Sequence, residues 1–378
     1  MNFSTLGMKD MMTLIEVPIR IEFLKAAAGF WNPFRHTFVF GSQELCPTIE
    51  EFVAISGIQV SSTPILPRPR LGYLAELKKL CSGSERQNGA LIRGPSLDIM
   101  GLVRRFKDRA HPDDAAFMKY RRSALCLCIF AGFLLVSSVD IPSVRLIDVV
   151  SQFLDRQDPI PMILAETIDG LDRVRDGDSL VLGGSPLLLQ VNNASLFFFF
   201  DETPFFLTQI WLMERLQTVT FPLEGYRPRD FTKREVIIDF RSREEWRDWF
   251  EGLQATDIEW RPSQWNLGDM TWAVERKNVV LLVGMDVVIA YYPSYIRRQY
   301  GLSATFPNTF TPQPLPAMTR SFLGTYQDKW ARRLKRGPEP SFTVHLPDGY
   351  DEYMKTEFGK VRERIHEKED ERKRQRKY

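Results

Sequence analysis

SALCLCIFAGFLLVSSV, residues 123–139, decides how this chain folds: it is uncharged for 17 residues and is bounded by Arg121, Arg122 and Asp140. A membrane-spanning helix needs about 17–25 apolar residues, so the run sits at the lower limit of what lipid requires. It also carries three serines and two cysteines. A spanning helix is possible on length alone, but this composition favours a helix buried in a protein core. Other apolar faces must then wrap around it.

The rest of the chain supplies those faces. Of its 378 residues, 44% are hydrophobic and 26% charged, the balance of an ordinary globular protein rather than of a disordered or membrane chain. A folded body of about 300 residues buries roughly 75% of the surface its unfolded chain exposes, so neither disulfides nor metals are required for a core. A second apolar block, Leu187 to Phe200, is broken by Gln190, Asn192, Asn193 and Ser195 and reads as another core helix.

Local signals place further elements. Pro18 suits the first turn of a helix, where its missing N–H has no partner, and Ile19, Phe23, Ala27 and Phe30 recur at helical spacing, which predicts a helix over 18–30. Thr37 to Phe40, Gly41-Ser42 and Gln43 to Leu45 predict a hairpin. Thr48 and Glu51 have the spacing of a capping box, Ile49, Phe52 and Val53 form one face, and Gly57 can close the helix in the left-handed region. That helix is expected over 49–56.

Residues 61–70, SSTPILPRPR, lack an apolar period and read as a surface loop. Helices are then expected over 71–81, over 97–108 after Ser96, over 113–138 after Pro112, from Ser143 to Arg156, and from Pro161 through Leu171. Glu235 to Phe240 predicts a strand, and Ser242 with Glu245 a second capping box before Trp246, Trp249 and Phe250. Val279 to Val283 and Val287 to Tyr291 predict a second hairpin. The fold class is mainly α (α+β): one multi-helical body over 1–325, a linker over 326–349 and a charged helical tail over 350–378.

Charge and cysteine usage limit the function. Lysine and arginine number 50 against 48 acidic residues, so no global field selects nucleic acid or a membrane surface. Any such role needs a local patch. Cys126 and Cys128 would point about 200° apart on a helix, which suits neither a bridge nor a shared metal, and a reducing compartment is expected. Lys9, Asp10, Glu16 and Arg20 interrupt the amino terminus, so a signal peptide is not expected.

Four blocks carry a family likeness: FWNPFRHTFVFGSQELCPTIEEFVAISGI (30–58), DPIPMILAETIDGL (158–171), WFEGLQATDIEWRPSQW (249–265) and YYPSYIRRQYG (291–301). In order and spacing they resemble a plant-specific family of uncharacterised domains of retroelement-associated proteins, allied to the plant mobile (aminotransferase-like) domain. Ala304 stands where that pattern often has glutamine, and Asn192 and Asn193 stand where tryptophan and histidine are usual. The resemblance implies links to mobile elements, nuclear silencing and genome maintenance, hence a nuclear location with the cytoplasm as the alternative. It transfers no catalytic residue. No lysine sits in a Schiff-base setting with a phosphate-cradling loop, so the aminotransferase-like label is not read as chemistry.

Candidate sites follow from residue type. His36, His111, His345 and His366 are too far apart for a zinc site, and no cofactor is predicted. Leu182-Gly183-Gly184-Ser185-Pro186 lacks the P-loop ending and reads as a loop and cap. Glu50, Glu51, Asp257 and Glu259 can form an acid/base pair only if the fold brings two together. Trp246, Trp249, Trp260, Trp265 and Trp272 are interleaved with Arg243, Arg247 and Arg261. Core packing is expected for Trp246 and Trp249, while Trp260 and Trp265 are candidates to stack on bases or hold a peptide, with core packing as the competing role.

Arg297, Arg298 and Gln299 are candidates for a basic edge, or else for structural pairing. In the tail, Arg332, Arg333, Lys335 and Arg336 form one basic cluster, and Arg372, Lys373 and Arg374 another. Residues 328–378 hold 15 basic and 11 acidic residues, opposite in sign to the body. Met354, Phe358, Val361 and Ile365 form a short coiled-coil seam, enough for weak self-association only. The expected function is a non-enzymatic nuclear module that binds nucleic acid or chromatin. The alternatives are a protein-interaction scaffold, and a hydrolase or transferase without a recognisable motif.

Overall fold

In the computed structural model the uncharged run ends a helix that protein surrounds. The structure describes residues 8, 13, 14, 17, 18, 20–58, 61–68, 72–107, 114–136, 141–176, 185, 207–222, 224–304, 315–337 and 346–375. The expected helix over 187–200, and residues 137–139 of the uncharged run, lie outside them. Among the described residues no helix is long and apolar enough to cross a membrane.

Reading from the amino terminus, α1 (Ile21–Ala28) precedes β1 (Trp31–Asn32), β2 (Thr37–Phe40) and β3 (Gln43–Leu45), which pair antiparallel in that order. The hairpin has the expected register, with Phe38 opposite Leu45 and Phe40 opposite Gln43. Its added first strand, Trp31 opposite Phe38, went unread because two residues carry no alternation. Pro18 does not open α1. Its carbonyl accepts a hydrogen bond from Gln209 instead, and the helix starts at Ile21.

The helix α2 (Ile49–Ser56) is capped as expected: Thr48 accepts from the Glu51 N–H, Glu51 accepts from the Thr48 N–H, and Gly57 sits at φ 65°. After the loop come α3 (Tyr73–Cys81) and α4 (Glu85–Gly89), then a small hairpin of β4 (Ile92–Arg93) and β5 (Ser96–Leu97), then α5 (Ile99–Lys107). Ser96 lies in β5 rather than capping α5. That role falls to Asp98, whose carboxylate accepts from the Gly101 N–H at 2.7 Å.

Asp114 caps α6 (Ala115–Ile129), which widens into a π turn over Phe130–Leu134. This is the core helix of the opening stretch. Ser123, Ala124, Cys126, Leu127, Ile129, Phe130, Ala131, Phe133 and Leu134 are buried against α3, α5 and α7 (Leu146–Leu154), with the Phe130 and Phe153 rings 5.1 Å apart. Burial here comes from neighbouring helices rather than lipid. The widened turn frees the Phe133 carbonyl, which accepts from the Ser185 hydroxyl at 3.3 Å.

At the centre is α8 (Ile160–Asp176), whose Ile160, Met162, Ile163, Leu164, Ala165 and Ile168 retain no exposed surface. Its first turns are apolar all round and sit in the middle of the fold, while Glu166, Asp169 and Asp172 lie on a half-buried side. It contacts β1 and α2 as well as the hairpin of β7 (Val280–Val283) and β8 (Val288–Tyr291). That second hairpin was expected, and it forms with Val280 opposite Tyr291.

Further along, α9 (Leu207–Arg215) packs on α2, and α10 (Arg243–Gly252) carries the expected Ser242–Glu245 capping box. The expected strand over 235–240 is absent: only Val236 pairs, in a single bridge to Val219. Ile237 is 58% exposed, so this stretch has no second face to bury. Trp246 and Phe250 of α10 pack on Phe23, with ring centroids 4.8 and 5.6 Å away, and Phe40 stacks on Phe250 at 4.8 Å. Such pairs contribute about 0.5–1.5 kcal/mol beyond their buried area.

The segment assigned to a linker carries structure of its own. α11 (Arg320–Ala331) runs through residue 325 and buries Tyr326 and Trp330, and β9 (Leu334–Arg336) pairs with β6 (Met270–Ala273). The last element is α12 (Tyr350–Gln375).

Candidate functional site

Two turns of α12 are docked on the body. Met354 is fully buried with Tyr350 and Ala304, and the Phe358 ring stacks on Phe30 at 6.3 Å. Arg35 joins helix to hairpin: it pairs with Glu357 at 3.0 Å and with Glu44 at 2.8 Å, and lies 4.0 Å over the Tyr295 ring. Burial pushes the Glu44 carboxyl up to about 7, against the pull of Arg35. Met354 and Phe358, two of the four seam positions, therefore face the chain's own body and are not available to a second copy. The Val361 and Ile365 side chains lie outside the described residues.

Beyond the dock the helix leaves the body. Glu363, Glu367 and Arg374 are exposed, and residues 360–378 hold nine basic and five acidic residues. A helix of 26 residues is about 39 Å long, so most of its length extends past Phe358. Arg372 and Lys373 lie within α12, with side chains outside the described residues.

The other basic cluster divides. Arg332 and Lys335 are exposed, the latter opposite Thr271 on β9. Arg333 donates to the Trp330 carbonyl and lies 4.9 Å over that ring, and Arg336 lies 4.9 Å over Trp272. Only part of the cluster faces solvent.

The tryptophan and Arg-Arg-Gln candidates are used internally. Trp265 is 5% exposed, with Arg215 5.1 Å over its ring. The Trp260 N–H donates to the Ala255 carbonyl, and the Arg298 guanidinium covers its ring at 3.8 Å. Arg298 also donates to Gln43, and Arg297 donates to the Ser303 carbonyl. Both arginines thus have partners within the chain, among them a ring, an amide and a carbonyl. Gln299 is fully buried and reproduces a strand-like pairing, accepting from the Cys46 N–H at 2.8 Å and donating to the Cys46 carbonyl at 2.9 Å.

Sequence reasoning missed the polar hub that these residues surround. The Glu51 carboxylate accepts from the Thr48 N–H, the Trp211 indole N–H and the Gln299 amide, and pairs with Arg215. Arg215 also donates to the Glu259 and Trp260 carbonyls. Glu50 accepts from Thr271, so the four candidate carboxylates do not form an acid/base pair. Each is engaged elsewhere or, as with Asp257, exposed at a turn, where it accepts from the Gln254 N–H.

Burial pushes the Cys81, Cys126 and Cys128 thiols up to about 12 and raises Cys46 as well, so they stay protonated. His36 pairs with Asp172 at 3.1 Å. Among the described residues no three of His, Cys, Asp and Glu are grouped to hold a metal ion. The Gly183-Gly184 turn lies outside the described residues.

A cleft of about 850 Å³ also went unread, because its walls come from segments scattered along the chain: the loop at Leu66–Arg68, Tyr73 of α3, α7, α8, the β7–β8 turn and α11. Its floor includes Val149, Met162 and Met285, and its rim carries Arg68, Arg145 and Arg320.

The arrangement is that of a mainly helical α+β domain with a basic helix extending from it. The chain belongs to the domain of unknown function DUF7745, whose family model matches residues 7–309. No curated protein and no solved structure matches it.

Proposed function

We propose that the chain is a non-enzymatic binding module that contacts nucleic acid or chromatin, in the nucleus, through the extended half of α12. The observation that carries this reading is the division of that helix. Its first turns are held by Met354, Phe358 and the Arg35–Glu357 pair, while the remainder bears an excess of lysine and arginine with its described side chains in water. A rigidly rooted basic helix presents its charge along a line, as a phosphate backbone does. Arg332 and Lys335 offer a second, smaller patch. The plant and mobile-element attribution rests on the resemblance of the four sequence blocks.

The test uses the full chain with Arg372, Lys373 and Arg374 replaced by glutamine, and measures anisotropy of labelled DNA and RNA duplexes and single strands over a salt series. Expected is a loss of affinity on every sequence and a shallower salt dependence, by about 0.9 per phosphate contact removed on duplex DNA. Equal affinity of substituted and native chains at low salt would end the nucleic-acid reading. Protein partners retained at high salt would favour the scaffold reading.

A further inference from the structure

The cleft between α7, α8 and α11 has features that packing alone leaves unexplained. Its floor is apolar, from Leu66, Val149 and Met162, and its volume of about 850 Å³ lies within the range of small-molecule sites. Two rim cations are neutralised locally: Arg145 pairs with Asp286, and Arg68 lies 3.6 Å from Asp148. Arg320 has no hydrogen-bond or ionic partner among the described residues. It opens α11, a helix of 12 residues with no acidic residue in its first turn, so the positive end of the helix dipole adds to the guanidinium charge.

One further observation points to an occupant. Gly324, one turn along α11 from Arg320, lines the same cleft, and a Cβ there would meet nothing within 4 Å. Glycine is a poor helix residue, so the absence of a side chain serves no helical purpose, and it leaves the cleft open.

We propose that this cleft binds a small organic anion: an aromatic or aliphatic body on the Val149–Met162 floor, and its acidic group on Arg320 at the start of α11. Arginine holds carboxylate, phosphate or sulfonate oxygens through a planar pair of donors, so the acidic group is recognised by shape as well as charge. The neighbouring Arg68–Asp148 and Arg145–Asp286 pairs leave the rest of the rim neutral, which selects one acidic group rather than several.

The test titrates the full chain by fluorescence with two probes of the same body: anilinonaphthalene sulfonate, and the neutral N-phenylnaphthylamine, which lacks the sulfonate but keeps the N–H. Expected is one sulfonate probe per chain. Arg320→Gln should weaken the sulfonate by about tenfold or more, the scale of a lost charge-assisted hydrogen bond, and leave the neutral probe within about twofold. Gly324→Leu, which fills open space, should abolish both with an unchanged melting temperature. Gln327→Trp, exposed on the same helix, is a second cleft-filling variant should Gly324→Leu perturb folding. Several equivalents of probe, binding indifferent to both filling variants, or equal effects of Arg320→Gln on the two probes would each overturn the proposal.

Discussion

Glu51 and Arg215, 164 residues apart in sequence, form an ion pair in which neither side chain retains any exposed surface. A surface pair of this kind would contribute little, but a buried one is unforgiving because removing one partner leaves the other charge without water. Glu51→Gln keeps the cap on Thr48 yet strands Arg215. We expect Glu51→Gln and Arg215→Met each to destabilise by about 3–5 kcal/mol and the double variant by clearly less than their sum. Urea unfolding measures all three, and additive losses would contradict a direct pair.

His36 faces an acceptor at each ring nitrogen. Burial disfavours its charged form, but the Asp172 carboxylate, 3.1 Å from Nε2, and the Ala290 carbonyl beside Nδ1 outweigh that, so its pKa is raised above 6.5. A raised folded-state pKa stabilises fully below 6.5 and loses that contribution as pH rises through the folded value. The stability gap between the native chain and His36→Gln should therefore be widest in acid, at about 1.5–3 kcal/mol, and narrow on the alkaline side. Unfolding curves across pH check this, and a gap independent of pH would mean a neutral ring.

Asp158 shares that direction with pH but for a different reason, because burial here favours the neutral acid. It accepts from the Ile160 N–H at the start of α8, and burial pushes its carboxyl from 3.8 to about 7. An acid with a raised folded-state pKa stabilises below 3.8 and loses that contribution as pH climbs through about 7. Asn caps equally well without the charge. Asp158→Asn should match the native chain in acid and be more stable above neutrality, by at most about 4 kcal/mol less the favourable helix-end term. A variant less stable at alkaline pH would show that the dipole outweighs burial.

Docking of α12 depends on a few side chains. Met354→Ala should remove about 2–5 kcal/mol of packing, more than an isolated charged helix can lose and stay attached. Hydrogen exchange should quicken over residues 350–358 and stay slow over 124–134, in the core helix. Uniform acceleration would mean that tail and body unfold as one unit.

Gly41 marks a close approach between the first hairpin and the end of α10. Its φ is +53°, and a Cβ would lie 2.3 Å from the Leu253 carbonyl oxygen. Gly41→Ala should lower the urea midpoint by more than about 1 kcal/mol in equivalent stability, with the slope unchanged.

Much of this architecture was legible wherever the signal closes within a few residues. The capping boxes at Thr48–Glu51 and Ser242–Glu245, the turn at Gly41-Ser42 and the Val280–Tyr291 hairpin all formed as read. Failures share one cause. Glu235 to Phe240 has strand-like residues but finds a partner only at Val236, and β1 is too short for any periodicity to register. The site residues fared worse: Trp265 and Gln299 have the chemistry of contact surfaces, but neighbours from distant segments claimed them.

By itself the sequence determined the capped helix starts at Thr48 and Ser242, the stop at Gly57, and that residues 123–134 must be shielded from water, since caps act over three or four residues and apolar runs demand burial wherever they end up. Only the tertiary structure decided what shields them, what Glu51 does beyond its cap, and that Arg320, Gly324 and Gln157 share one cleft. Those depend on encounters between segments far apart in sequence, such as the 248 residues between Gln299 and Glu51, and such encounters are selected by the packing of the whole rather than by any local pattern.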